Sequence, residues 1–189
     1  MFTDRLTTSL SLSIGSDVHL LGTGQVERFS LDLHVWGFTA DVTFYVSSEQ
    51  EADPIFEGFS STALIAVTLT FARETEGAEE GPSPIKVTGY AVEKAVTEVV
   101  GEGLMGAPVI GRRYEMHVLD AAQAFWTQHR PLDLLVQSSM QDLLDINKPT
   151  GVDITYDWAA VTTKQAVLTV GMNGEADPSF YDFLLHWVD

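Results

Sequence analysis

The sequence predicts a mainly β protein, in which a β-barrel-like tube domain is followed by a small α/β segment. Apolar and polar residues alternate with the period of two typical of strands through most of the first 120 residues. Residues 120–145, DAAQAFWTQHRPLDLLVQSSMQDLLD, then replace that alternation with short helix-like runs. The 189-residue chain is 45% hydrophobic, which is enough to bury one core and a smaller second one. We therefore place the barrel at 1–133 and the α/β segment at 134–189.

Seven stretches of the first part have the patterns of strands, and no helix is predicted among them. A series of long strands without helices predicts an antiparallel barrel across residues 7–120, with Trp36 and Phe44 in its long strands. The stretches are LSLSI (10–14), VHLLG (18–22), RFSLDLHVWGF (28–38), ADVTFYVSS (40–48), TALIAVTLTFAR (62–73), IKVTGYAVEKAVTEVV (85–100) and GRRYEMHVLD (111–120).

Glycines mark two features of this predicted barrel. Gly22-Thr23-Gly24 lies between two strands and predicts a hairpin, because glycine tolerates the positive φ angles of tight turns. The strict alternation is lost around Gly89, which predicts a bend or bulge there. Curved strands of this kind allow a sheet to close.

The chain is strongly acidic, with 27 Asp and Glu residues against 10 Lys and Arg residues and a net charge of −17. Such a surface repels phosphates and anionic lipids, so neither nucleic acid nor a membrane is an expected partner. Acidic residues concentrate in 47–60 and 74–84, which are predicted to be solvated loops outside the barrel wall. Neither segment has the D-x-D-x-D-G spacing of a calcium loop. No signal pattern is present, which predicts assembly in the cytoplasm.

A short helix is predicted where the barrel ends. Asp120 is its expected N-cap, and the apolar residues Ala124, Phe125 and Trp126 are expected to pack back on the sheet. Pro131 cannot continue a helix, so the helix should end near Arg130.

A strand, LDLLVQ, and a second short helix follow. Ser138 and Gln141 have the spacing of a capping box, and Leu143, Leu144 and Ile146 supply the apolar side of that helix. The segment continues with KPTG (148–151), VDITYDW (152–158) and AVLTVGM (166–172).

The last helix has the clearest signals in the chain. Asp177 is its predicted cap and Pro178 its first helical residue, and four large apolar residues recur at helical spacing: Phe180, Phe183, Leu184 and Trp187. The helix has no C-cap before the last residue. We therefore expect that this chain is the N-terminal portion of a longer protein.

No group of residues with a recognisable chemistry is found. The histidines His19, His34, His117, His129 and His186 occur singly, without the H-E-x-x-H or H-x-H spacing of a metal site. His34 and His117 lie in strand patterns and are expected to be wall residues. There is no G-x-S-x-G, and the pairs Asp142/Asp145 and Asp153/Asp157 indicate caps or solvated faces. We predict no catalytic, cofactor-binding or metal-binding residue, and no enzyme activity.

The order of elements from residue 85 to residue 189 resembles the N-terminal hub region of the VgrG and phage baseplate hub family. The resemblance is carried by IKVTGYAVEKAVTEVV, RRYEMHVLDAAQAFWTQHRPLDLLVQSSMQDLLD, TYDW and SFYDFLLHWVD. The positions that match the family pattern are Gly89, Tyr114–Asp120, Phe125-Trp126, Arg130, Met140–Leu144 and Tyr181–Leu185. The family's R-x-S-R-I-F-Q is replaced here by TQHRPLDLLVQ.

This resemblance implies a structural hub of a contractile injection machine, of the type VI secretion VgrG-like or the phage tail baseplate kind, which joins the tail tube to the spike. It further implies a homotrimer in the full-length parent, an Hcp-like tube protein and spike or effector proteins as partners, and export as part of the machine. The alternative is a free-standing β-sandwich binding module for carbohydrate or a protein partner. Tryptophans exposed on one sheet face would favour the alternative.

Overall fold

The computed structural model describes residues 4–48, 53–75, 83–102, 108–150, 152, 162–171 and 178–188. The chain is mostly β with a few short helices, so the predicted fold class is confirmed. It forms two compact units, Met1–Asp120 and Ala121–Asp189. This division lies after Asp120, whereas the sequence prediction placed it after residue 133; the first helix of the second unit lies in between.

The first unit contains one antiparallel sheet of seven strands that curls into a half-barrel. Its order is β2-β1-β5-β6-β7-β4-β3, so β2 and β3 are the two edges. The strands are β1 (Asp4–Ile14), β2 (Asp17–Leu21), β3 (Val26–His34), β4 (Gly37–Ser48), β5 (Ile65–Thr75), β6 (Ile85–Glu102) and β7 (Pro108–Leu119).

The alternation seen in the sequence becomes the two faces of this sheet. Successive side chains of a strand point to opposite faces, so one set of alternate residues is buried and the other faces outward. On β4, Val42 and Phe44 are buried while Asp41 is exposed, and on β7 Tyr114 is buried beside the exposed Glu115. The buried set forms one apolar core on the concave face.

A short helix, α1 (Phe56–Ser60), belongs to this core, which corrects the prediction that 47–60 is a solvated loop. Residues 47 and 48 lie in β4, and Ile55 and Phe59 are buried against the sheet. The Phe59 ring contacts Phe44 edge-on at 6.1 Å between centroids. Two apolar side chains four residues apart were enough to bury one face of a segment that is otherwise acidic. Of the other acidic segment, 76–82 lies outside the described residues.

Residues 28–38 form a hairpin rather than one strand. β3 ends at His34, Val35 and Trp36 form the turn, and β4 begins at Gly37 with φ +145°. Trp36 therefore lies in a turn, contrary to the prediction, because Gly37 adopts a conformation that residues with a side chain rarely take. Phe44 lies in β4 as predicted.

The turn at Gly22-Thr23-Gly24 does not join paired strands, so the predicted hairpin is wrong. β2 pairs with β1 and β3 pairs with β4, at opposite edges of the sheet. Thr23 fastens this crossing to β1: its hydroxyl donates to the Thr8 carbonyl at 2.9 Å and accepts from the Thr8 amide at 3.2 Å. The Thr23 side chain thus satisfies the Thr8 amide and carbonyl, which a paired strand would otherwise bond through its backbone.

The irregularity of β6 lies near Gly89, as predicted, and begins two residues beyond it. The register with β7 shifts between Ala91 and Glu93, not at Gly89. Gly89 serves a different need, since a Cβ atom there would lie 2.2 Å from the Leu119 carbonyl oxygen. The glycine allows close backbone approach, and the bulge next to it bends the strand.

The second unit packs helices on a two-stranded antiparallel sheet. Trp126 of the first helix contacts Phe180 of the last one edge-on at 5.2 Å and shares a core with Met140, Leu143 and Leu184. Phe125 and Trp126 thus belong to the core of this unit, whereas the sequence prediction had them pack on the barrel sheet. The elements are α2 (Ala121–Trp126), β8 (Asp133–Ser139), α3 (Met140–Ile146), β9 (Lys164–Val170) and α4 (Phe180–Val188).

Both longer helices of this unit begin with the same Ser-x-x-Asp capping box. In α3 the cap is Ser139, which exchanges hydrogen bonds with Asp142, so the predicted box at Ser138 is off by one residue. In α4, Ser179 and Asp182 make the equivalent bonds at 3.1 Å. Ser179 therefore replaces the predicted cap Asp177, which lies outside the described residues, as do 153–158. A serine at the end of an extended stretch is placed to accept the N3 amide.

Candidate interaction surface

Among the described residues, His117 pairs with a carboxylate and His129 with a side-chain amide. The His117 Nδ1 lies 2.7 Å from the Asp41 Oδ1, and the His129 Nε2 lies 2.6 Å from the Asn147 Oδ1. Within the described ranges, no group of three or more His, Asp or Glu is arranged to hold a metal ion. In the same ranges, no helix has both the length and the apolar character needed to cross a membrane.

The His117–Asp41 pair lies on the outer face of the sheet, in an open groove lined by charges of both signs. Asp41 also accepts from the Ser30 hydroxyl at 3.3 Å. Arg113, nearby on β7, pairs with Glu27 at 3.1 Å and with Glu115 at 3.5 Å. Exposed pairs of this kind contribute little to stability. The groove offers a polar, locally neutralised surface rather than an enclosed pocket with a nucleophile.

A second polar cluster is buried beneath α1 and involves Asp53, whose side chain is only 1% exposed. The Tyr114 hydroxyl donates to the Asp53 Oδ2, the Ile55 amide donates to the Asp53 Oδ1 at 3.0 Å, and Arg112 lies 3.5 Å away. Arg112 also lies over the Phe56 ring, 3.9 Å from its centroid. The cluster fixes the segment that leads into α1.

Burial, together with the hydrogen bond to Asp53, raises the pKa of the Tyr114 hydroxyl well above its ordinary value. Shifted pKa values are common in active sites. Tyr114, however, is fully buried and stacks on Phe44 at 4.8 Å, so no substrate can reach its hydroxyl. We interpret this cluster as an anchor for α1.

Lys94 anchors the other end of α1. Its Nζ donates to the Ser61 carbonyl at 2.8 Å and lies 5.8 Å from the centroid of the Phe59 ring. Burial lowers the pKa of this lysine. These anchoring residues were not predicted from the sequence. The one sequence feature that could have indicated them is that Arg112 and Tyr114 are two residues apart on β7, so both side chains point to the inner face of the sheet.

The two edges of the half-barrel differ in a way that matters for recognition. The β2 edge, Asp17–Leu21, presents Val18 at 61% and Leu20 at 78% exposure. The β3 edge has a register shift between Val26 and Arg28 and carries exposed charged residues, Glu27, Arg28 and Asp32. Bulges and charges protect an open edge from unwanted pairing; β2 has no register shift with β1, and Asp17 is its one acidic residue.

The three tryptophans that the structure describes do not line one sheet face. Trp126 is buried, Trp36 lies in the β3–β4 turn at 39% exposure, and Trp187 lies on α4 at 36% exposure. Trp158 lies outside the described residues. The first unit has a single curled sheet rather than two packed sheets in the part of the chain that the structure describes. These features do not favour the carbohydrate-binding sandwich.

No protein-family model matches this chain, and no curated protein matches it. Among solved structures, it is similar to a chain of the half-lidded Francisella PdpA–VgrG complex, with a TM-score of 0.61 at 14% identity over 97% of this chain and 28% of that chain. For the lidded Francisella complex the TM-score is 0.62 at 12% identity, with coverages of 97% and 25%. For a lidless PdpA–VgrG complex it is 0.61 at 13% identity, with coverages of 95% and 30%.

The chain shares the fold of part of a chain in these PdpA–VgrG complexes. The likeness extends over both units, since it covers nearly the whole of this chain, and the chain spans less than a third of each matched one. At these identities the likeness concerns the fold.

Proposed function

We propose that this chain is a structural hub component of a contractile injection machine, of the type VI secretion VgrG-like kind, and that it joins the tail tube to the spike. The observation that carries the proposal is the fold likeness to chains of PdpA–VgrG complexes over 95–97% of this chain. The partial match to the hub-family pattern, from Gly89 to Leu185, supports it independently.

The surface chemistry is consistent with a scaffold. The outer groove is polar and open, and the buried Asp53–Tyr114 cluster is closed to substrates. We therefore propose that the chain has no enzyme activity and needs no cofactor or metal. The chain would bind its partners through protein–protein contacts on its surface.

The partners that we propose are two further copies of the full-length protein in a homotrimer, an Hcp-like tube protein, and spike or effector proteins. The net charge of −17 favours basic faces on these partners, because opposite potentials accelerate association and select against wrong partners. We further propose that assembly takes place in the cytoplasm and that the chain is exported as part of the machine.

Reconstitution tests this proposal. The chain and the tube and spike proteins of the same organism would be purified separately, mixed, and separated by size-exclusion chromatography with mass detection. We expect a complex that contains this chain with the tube protein, the spike protein or both. An unrelated protein of similar negative charge controls for electrostatic adhesion. If this chain elutes alone under all salt conditions while the tube and spike proteins assemble with each other, the proposed role is wrong.

A second test is genetic. A strain that lacks the chain should assemble no functional injection particles, and expression of the chain should restore them. Particles that form and inject normally without the chain would contradict the proposal and would leave the binding-module alternative.

A further inference from the structure

We draw no further inference here: the strongest candidate, the open groove on the outer face of β4, β6 and β7 around Asp41, Glu93 and His117, is a cluster of surface charges, and nothing in the structure shows what covers it.

Discussion

Replacement of Tyr114 by phenylalanine tests how α1 is held in the half-barrel. The change removes the hydroxyl that donates to Asp53 and keeps the ring, which stacks on Phe44 at 4.8 Å and contacts Phe59 edge-on. No apolar cavity is created, so the effect reports the hydrogen bond. A hydrogen bond to a charged group contributes about 1.5–3 kcal/mol. Because Arg112 still lies near the same carboxylate, we expect a loss of about 2 kcal/mol.

Urea unfolding followed by far-UV circular dichroism measures this loss. With a slope of about 2 kcal/mol per molar urea, the midpoint should fall by about 1 M. The matched control is Tyr45→Phe, which removes a hydroxyl from the outer face, where the Tyr45 ring lies over Gly111. That variant should lose less than about 0.5 kcal/mol. If Tyr114→Phe is no more destabilised than Tyr45→Phe, the hydroxyl does not anchor α1 and this explanation fails.

The same variant should change how stability depends on alkaline pH. The folded protein raises the pKa of Tyr114, so the unfolded chain loses this proton first, at its ordinary value of about 10. Above that pH the unfolded state binds fewer protons than the folded state, and stability falls as the pH rises toward the folded pKa. The natural chain should therefore lose stability more steeply above about pH 10 than Tyr114→Phe does. Parallel alkaline profiles would show that this tyrosine is not linked to folding.

Two further changes test the packing of each unit. Gly89→Ala would place a Cβ 2.2 Å from the Leu119 carbonyl oxygen and should destabilise the first unit by more than about 2 kcal/mol in a thermal unfolding assay. The control is Gly24→Ala, whose Cβ would have nothing within 4 Å and which should be nearly neutral in the same assay. Ser139→Ala should cost about 1 kcal/mol. The backbone N–H and the hydroxyl of Ser139 both donate to Asp142 and lower its pKa; alanine keeps the N–H, so the pKa of Asp142 should rise only part of the way toward its ordinary value. Titration of Asp142 by NMR would contradict the capping-box assignment if its pKa did not rise at all in that variant.

The sequence was sufficient for most strands of the first unit, because alternation is a local signal. Asp41 and Phe44 of β4 are an odd number of residues apart, so their side chains are expected on opposite faces of the sheet. In the structure Asp41 is exposed on the outer face and Phe44 is buried on the inner one. Helix α4 was likewise predictable, since its apolar residues recur at helical spacing over more than two turns. Only its cap was misplaced, because Asp177, Pro178 and Ser179 all favour a helix start.

Strand order could not be predicted, because pairing is non-local. β4 pairs with β7, with Phe44 opposite Tyr114, and no local pattern links residues so far apart in the chain. The Gly22-Thr23-Gly24 turn has the composition of a hairpin yet crosses between sheet edges, so no local pattern indicated that β2 is an edge. Helix α1 was missed because five residues are too few to establish a helical period.

The most direct test of the hub proposal is an electron cryomicroscopy reconstruction of injection particles purified from the organism that makes this chain. We expect density for the half-barrel and the second unit at the junction of tube and spike, repeated by threefold symmetry. The curled sheet with α1 on its concave face provides a shape by which the chain can be recognised there. A well-resolved junction that is fully accounted for by other proteins, with this chain absent from the particle, would contradict the account.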